Sequence, residues 1–116
     1  MGQSVEEFNA YRERMNARLM QEDQKIIKRV FNLDTNAYME GHLPVKTKEL
    51  LGLGNSLVLR CDDCVKYHLQ TCFELGISKE EVMEAMSISL LIGGTIVIPH
   101  LRRAVEFWDA LSEQAS

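Results

Sequence analysis

Residues 61–82 read CDDCVKYHLQTCFELGISKEEV, and this stretch contains one helix, its end and the start of the next helix. Two acidic residues follow Cys61, where negative charge suits the positive end of a helix dipole. Gly76 supplies a left-handed stop for the first helix. Ser78 and Glu81 have the spacing of a capping box, which opens a second helix. The stretch therefore predicts two consecutive helices joined by a short turn.

Apolar spacing continues this pattern towards the C-terminus. The next helix carries an apolar stripe, and Gly93 with Gly94 is expected to end or bend it. A final helix follows, with a start that is hard to define because Pro99 lacks a backbone donor. The residues of the two stripes are Val82, Met83, Met86, Leu90 and Leu91, then Leu101, Ala104, Val105, Trp108 and Leu111.

The N-terminal half has the same helical period. Residues 4–31 predict one long helix or two helices joined near residues 21–23. Asp34 is expected to cap a short helix over residues 35–40, with His42 in the loop that follows. Thr47 is expected to cap a helix that runs to about Leu59. Because no segment alternates with period two, we expect an all-α bundle of about five to seven helices and no sheet.

The composition is that of one globular domain, which we expect to span residues 1–116. The chain is 46% hydrophobic and 26% charged, and its net charge of −4 comes with scattered basic residues, so nucleic acid is not an expected partner. The longest apolar run, residues 88–98, is shorter than the roughly 20 residues of a membrane span. It predicts a buried helix end or a subunit interface. The N-terminus lacks a secretory pattern, so we expect a cytoplasmic protein and no membrane partner.

The pair Cys61 and Cys64 is the strongest candidate for a chemically reactive site in this sequence. Three cysteines without an export signal do not suit a disulfide scaffold. Cys64 and His68 stand four apart on a helix, on one face, where a thiol and an imidazole can share a proton. A helix N-terminus and a nearby histidine favour the reactive thiolate, whereas Asp62 and Asp63 oppose it. A C-x-x-C pair at this place predicts cycling between dithiol and disulfide.

Other interpretations of these residues are more ordinary. A zinc site needs four ligands, and the remaining candidates do not form a second pair at ligand spacing; they are His42, His68, Cys72 and His100. Cys72 is expected to be a small buried apolar residue. His100 is expected to line the site or an interface. Arg12 and the other basic residues of the first helices indicate a solvated face.

A longer spacing carries a resemblance to a known family. The string begins at Glu49: eleven residues separate Glu49 from Cys61, two separate Cys61 from Cys64, and three separate Cys64 from His68. This string resembles the signature of the alkylhydroperoxidase AhpD branch of the carboxymuconolactone decarboxylase superfamily. The resemblance covers residues 38–112, with residues 1–35 as an N-terminal helical extension. Well-studied members have a histidine just before the second cysteine, where this chain has Asp63.

The resemblance implies an AhpD-like helical fold assembled as a homo-oligomer, often a trimer or hexamer. It implies a thiol-dependent peroxidase or disulfide oxidoreductase, in which Cys64 attacks a peroxide, Cys61 resolves the product, and His68 with Glu49 relays protons. No resident cofactor is implied, since the Cys61–Cys64 disulfide holds the electrons. A lipoyl-bearing protein or a thioredoxin-like protein would be the external donor of electrons, and the substrate would be a peroxide or a disulfide.

Glu49 can reach this site only if the chain turns back. Twelve residues of straight helix span about 18 Å, which would hold Glu49 far from Cys61. If the chain reverses at Cys61, an axial offset of about 8 Å remains between Glu49 and His68, which predicts a relay bridged by a water.

Two alternative functions stay open. One is a lyase like the superfamily's lactone decarboxylases, which generally lack the cysteine pair. The other is a non-enzymatic oligomer that senses redox state or binds a metal.

Overall fold

The chain forms a bundle of α-helices in the computed structural model, which describes residues 4–116. The helices are α1 Val5–Met20, α2 Lys25–Ala37, α3 Val45–Val58, α4 Asp62–Glu74, α5 Lys79–Gly93 and α6 Ile98–Ala115, with a short 3-10 turn at Thr95–Val97 before α6. Residues 4–116 contain no strand. The predicted all-α class is confirmed, and the six helices of this range fall within the predicted number.

Two turns of the same design join α3 to α4 and α4 to α5. After α3, Arg60 adopts a left-handed conformation with φ 61°, and the N–H of Cys61 donates to the carbonyl of Ser56 at 3.1 Å. After α4, Gly76 has φ 79°, and the N–H of Ile77 donates to the carbonyl of Cys72 at 3.0 Å. Both are Schellman ends, which satisfy the last carbonyls of a helix and reverse the chain. The reversal at Arg60 sets α3 beside α4.

The core lies among α3, α4, α5 and α6, and α1 covers one side of it. Apolar residues one helical turn apart on these five helices point into it, as the periodicity predicts. Phe8 of α1 meets Phe107 of α6 edge-on at 5.4 Å between ring centroids, and Phe73 of α4 meets Trp108 at 5.2 Å. The fully buried side chains include Phe8, Leu53, Leu57, Val65, Leu69, Val82, Met86 and Val97.

Helix α5 begins at the predicted capping box. The Ser78 hydroxyl accepts from the N–H of Glu81 at 3.1 Å, and the Glu81 carboxyl accepts from the N–H of Ser78 at 2.9 Å. The helix ends at Gly93, and Gly94 follows with φ 83°. This helix start and this helix end are both confirmed.

Two predicted helix starts are wrong. Asp34 caps no helix, because α2 begins at Lys25 and continues to Ala37. The polar side chains near Asp34 bond within the helix instead, as Thr35 donates to the carbonyl of Phe31 at 3.1 Å. Thr47 lies inside α3, which begins at Val45 after an extended Pro44 with φ −66°. Proline fixes φ and needs no donor at this place, so α3 starts without a side-chain cap.

The N-terminal residues form two helices, which is the second of the two predicted arrangements. Helix α2 is amphipathic, yet none of its residues is buried. Its exposed apolar side chains include Ile26, Val30 and Leu33.

The apolar run at residues 88–98 is mostly exposed on the single chain. Leu91 is 80% exposed and Ile92 is 70% exposed, and Ile88 and Ile96 are also exposed. The prediction of a buried helix end is therefore wrong for these side chains, although Val97 is fully buried. No helix within residues 4–116 has the length and hydrophobicity that a membrane crossing requires.

Candidate functional site

Cys61 and Cys64 lie at the N-terminus of α4 and are bonded as a disulfide. Their Cα atoms are 5.3 Å apart, within the usual range for a disulfide. Cys61 is the N-cap of α4, and its sulfur accepts a hydrogen bond from the N–H of Cys64 at 3.3 Å. This bond and the helix dipole both favour negative charge on the Cys61 sulfur when the pair is reduced.

Glu49 and His68 are in direct contact, one helical turn along α4 from Cys64. The carboxyl Oε1 of Glu49 lies 2.8 Å from Nδ1 of His68, and both side chains are buried. The predicted water bridge is thus wrong. Because α3 ends at Val58 rather than at Cys61, the axial offset between the two residues falls to about 4.5 Å, which a Glu side chain spans by itself.

Tyr38 completes this cluster, and sequence reasoning did not identify it. Its hydroxyl lies 3.3 Å from Nε2 of His68, and the two ring centroids are 5.2 Å apart. Burial raises the pKa of Tyr38, and the negative charges of Asp34 and Glu49 raise it further. The hydroxyl therefore stays protonated and can donate a hydrogen bond to Nε2, while Nδ1–H of the same ring donates a hydrogen bond to Glu49. Thirty residues separate Tyr38 from His68, and no local motif marks the contact.

Gly52 makes room for this cluster on α3. A Cβ at position 52 would lie 2.7 Å from Cε1 of His68 and 2.7 Å from the Tyr38 hydroxyl. Such approaches are shorter than van der Waals contact, so only glycine fits here with the ring and the hydroxyl in place. A glycine inside the predicted helix was the one sequence signal of a close approach at this point. The groups that approach position 52 are the side chains of His68 and Tyr38.

The two aspartates between the cysteines are both paired with cations. Asp62 accepts from Nδ1 of His100 and from Nε of Arg103, each at 2.7 Å. Burial opposes ionisation of Asp62, but the hydrogen bonds from His100 and Arg103 outweigh it and hold the pKa of Asp62 below its usual value. Asp63 accepts from Arg12 at 2.7 Å. His100 thus lies beside the cysteine motif, and the expectation that Arg12 belongs to a solvated face is wrong.

Cys72 lies apart from the disulfide as a buried free thiol. Burial raises its pKa to about 12, with smaller contributions from the negative charges of Glu49 and Glu81. It is therefore a neutral thiol near pH 7. His42 lies in the loop before α3, as predicted. Residues 4–116 contain no group of three or more His, Cys, Asp or Glu side chains placed to hold a metal ion.

The site thus joins two parts at one end of the α3–α4 hairpin: a disulfide on a helix N-terminus and a buried chain of hydrogen bonds from Glu49 through His68 to Tyr38. Within residues 4–116 no hydrogen bond connects His68 directly with either sulfur of the disulfide. The four residues predicted from the sequence, Glu49, Cys61, Cys64 and His68, lie together on this hairpin.

Comparison with protein families agrees with this geometry. The model of the carboxymuconolactone decarboxylase family matches residues 24–107, which contain the cysteine pair and the Glu49–His68–Tyr38 cluster. The chain belongs to the carboxymuconolactone decarboxylase family. The family that the string of Glu49, Cys61, Cys64 and His68 resembles is confirmed.

Individual relatives of this family member are similar over most of their length. A Thermotoga maritima protein, described as a carboxymuconolactone decarboxylase family protein with a suggested part in the antioxidative response, is 51% identical. Two structures of it superpose with TM-scores of 0.91 and 0.89, covering 93% of this chain and 95% and 92% of theirs. A family protein from Legionella pneumophila, solved in its apo form, is 22% identical with a TM-score of 0.72, over 88% of this chain and 94% of its own, and shares the fold. An uncharacterised Cupriavidus necator protein is 29% identical over 66% of this chain and 67% of its own length.

Proposed function

We propose that this carboxymuconolactone decarboxylase family member is a thiol-dependent peroxidase and disulfide oxidoreductase of the AhpD type. The observation that carries the proposal is a Cys61–Cys64 disulfide on the N-terminus of α4, one helical turn from the buried Glu49–His68 pair. A redox-active dithiol needs close sulfurs, a setting that favours the thiolate and a nearby group that moves protons. This hairpin supplies all three.

The oxidative half of the reaction converts the dithiol to the disulfide. The Cys64 thiolate attacks one peroxide oxygen and the O–O bond breaks, so that the sulfur becomes a sulfenic acid. The alkoxide takes one proton and leaves as an alcohol. The Cys61 thiolate then attacks the Cys64 sulfur, the S–S bond forms, and the hydroxyl leaves as water with a second proton. Two electrons pass from the pair to the peroxide. The hydrogen bond from the N–H of Cys64 to the Cys61 sulfur suits the role of Cys61 as the resolving thiolate.

The reductive half returns two electrons and two protons from an external dithiol by thiol–disulfide exchange. The incoming thiolate attacks Cys64, and Cys61 leaves as the thiolate that the helix N-terminus stabilises. A lipoyl-bearing protein or a thioredoxin-like protein has the required chemistry. The pair itself holds the electrons, so no resident cofactor is part of the proposal.

The Glu49–His68–Tyr38 cluster is proposed to handle the protons. The Tyr38 hydroxyl passes its proton to Nε2 of His68 as it takes the proton of the Cys64 thiol through the substrate or a water, and the reverse transfer protonates the departing oxygen. Glu49 orients the ring through Nδ1 and stabilises its positive form, while Tyr38 holds the opposite nitrogen. Glu49 acts through His68 and is a positioning residue in this scheme.

We further propose that the protein works in the cytoplasm as a homo-oligomer, a trimer or a hexamer. The apolar side chains that the single chain leaves exposed on α5 and the 3-10 turn, Ile88, Leu91, Ile92 and Ile96, support an interface between subunits. The suggested antioxidative role of the Thermotoga maritima relative supports peroxide as the oxidant.

The test is consumption of an organic hydroperoxide by catalytic amounts of protein with dihydrolipoamide as reductant. Wild type is expected to turn over, and Cys64→Ser and Cys61→Ser are expected to lose turnover. Cys72→Ala is the matched control, because it removes the one thiol outside the pair, and it should keep the activity. Equal rates for wild type and Cys64→Ser would refute the peroxidase assignment.

A lyase of the lactone decarboxylase kind is the second candidate, and one observation favours it. The Glu49–His68–Tyr38 cluster can exchange protons without either sulfur, and Tyr38 and Gly52 line a cavity of about 350 Å³ with Leu43, Leu51 and Ser56. Lactone decarboxylation that survives replacement of both Cys61 and Cys64 by serine would favour this candidate. A disulfide that forms reversibly without turnover of peroxide or lactone would indicate a redox sensor instead.

A further inference from the structure

Two negative charges lie inside the cysteine motif. Asp62 and Asp63 occupy the first turn of α4, directly between the two sulfurs in sequence. Carboxylates suit a helix N-terminus, but next to a thiol they disfavour the thiolate and so oppose the reaction proposed above. A reactive pair in this sequence therefore needs positive charge from elsewhere in the fold.

Other helices deliver that charge to each aspartate separately. Helix α6 supplies Arg103 and His100 to Asp62. Helix α1, more than fifty residues away in sequence, supplies Arg12 to Asp63. The Arg12 contact is independent of the α6 contacts, since it involves a different carboxylate and a different helix.

Arg12 is held in place by more than its ion pair. Its guanidinium lies over the ring of Tyr67 at 4.6 Å from the centroid and over the ring of Phe8 at 5.3 Å. Its side chain is 28% exposed, although it carries a full charge, whereas Asp63 is 63% exposed. An isolated surface ion pair would be mobile and worth little, but stacking on two rings fixes the cation beside the cysteine turn.

We propose that Arg12 supports thiolate formation at the Cys61–Cys64 pair by cancelling the negative charge of Asp63. This inference rests on the proposed redox function and names a regulator of the same site. Arg12 acts through Asp63 and touches no reacting atom, so it is a positioning residue. An exposed unit charge about 7 Å from a titrating sulfur in a water-like dielectric shifts the pKa by about half a unit, which is about threefold in thiolate near neutral pH.

Other titratable groups surround the start of α4 and stay unchanged in the experiment. They are Tyr38 of α2, Glu49 of α3, Asp62, Lys66, Tyr67 and His68 of α4, and His100 with Arg103 of α6. Their contributions cancel when variants of Arg12 and Asp63 are compared with wild type. A difference between these proteins then reports the Arg12–Asp63 pair alone.

The experiment measures the alkylation rate of the reduced protein by iodoacetamide as a function of pH. Arg12→Met, which keeps the aliphatic packing and removes the charge, is expected to raise the apparent pKa of the reactive thiol by about half a unit. Arg12→Lys should stay closer to wild type, because it keeps the charge. Asp63→Asn should lower the pKa, and the double variant Arg12→Met with Asp63→Asn should return close to wild type. Arg14→Met is the matched control, since Arg14 lies on the same helix over the ring of Tyr11 and away from the motif.

The double variant distinguishes an effect of the Arg12 charge from an effect of Arg12 on the structure of α1. If Arg12 merely anchored α1, adding Asp63→Asn to Arg12→Met would not restore the thiol pKa, and the inference would be overturned. An unchanged pKa in Arg12→Met would overturn it as well. Failure of the redox proposal looks different, because the wild-type pair would then form no disulfide with peroxide whatever its alkylation profile.

Discussion

Replacing Gly52 by alanine adds a single methyl group, which is expected to displace the side chains of His68 and Tyr38. The new Cβ would lie 2.7 Å from Cε1 of His68 and 2.7 Å from the hydroxyl of Tyr38, and 2.9 Å from Nε2 of His68. Van der Waals contact between carbons begins near 3.5 Å, so the ring must move by roughly 0.8 Å. A shift of that size away from Glu49 would stretch the 2.8 Å contact past the limit of a hydrogen bond.

The free energy of unfolding should fall even though alanine is the better helix former. Alanine in a helix interior gains about 1 kcal/mol over glycine. Overpacking costs about 1–3 kcal/mol, and loss of a buried hydrogen bond to a charged group costs about 1.5–3 kcal/mol. The net loss is about 1.5–5 kcal/mol. Peroxide turnover should drop at least about tenfold, because a displaced His68 no longer relays protons.

Two measurements on the same preparation check this prediction: urea denaturation for stability and single-turnover oxidation by a hydroperoxide for activity. Gly54→Ala is the matched control on α3, since its Cβ would face Ser89 of α5 at 3.3 Å and no residue of the cluster. It should keep the oxidation rate. A Gly52→Ala protein that oxidises at the wild-type rate and is as stable as wild type or more stable would refute the assignment of His68 and Tyr38 to this space.

Three further predictions concern the residue that positions His68, a buried thiol and a strained turn. Glu49→Gln, which keeps the shape of the side chain, should slow oxidation at least about tenfold while the circular dichroism spectrum stays helical; an unchanged rate would remove Glu49 from the mechanism. Cys72 should resist iodoacetamide at pH 8 in the folded protein and react after unfolding, because burial raises its pKa to about 12. The raised pKa of Cys72 contributes stability that is present below the ordinary thiol value of 9.0 and is lost as the pH rises towards about 12. Cys72→Ala should therefore lose this alkaline fall in the free energy of unfolding. An equal fall with pH in both proteins would contradict burial of the Cys72 thiol as the cause. Arg60→Gly should raise the free energy of unfolding by about 0.5–1 kcal/mol, since glycine adopts φ 61° without strain, and a lower denaturation midpoint would contradict this.

Features fixed by neighbouring residues could be predicted from the sequence. The capping box of Ser78 and Glu81 and the stop at Gly76 involve side chains and backbone groups within a few residues, so the local pattern determines them. The caps predicted at Thr47 and Asp34 are wrong because a residue caps a helix only where its own backbone is extended, and both residues lie inside helices. Pro44 provides that extended residue before α3, and α2 simply continues past Asp34.

The site was predictable in part for the same reason. The spacing of Cys61, Cys64 and His68 lies within two turns of one helix, so their grouping follows from helical geometry. The direct contact of Glu49 with His68 depends on where the chain turns back, and α3 ends at Val58, before the reversal that the sequence places at Cys61. Tyr38 and Arg12 lie 30 and 51 residues from their partners, and only tertiary packing brings them there.

The most direct test of the central claim is the mass of the reduced wild-type protein before and after one equivalent of an organic hydroperoxide, with peptide mapping of the product. The redox account predicts the loss of two hydrogen atoms and a peptide that contains a Cys61–Cys64 disulfide, with Cys72 still a free thiol. An unchanged mass with three free thiols, or oxygen retained on a cysteine without a disulfide, would contradict it.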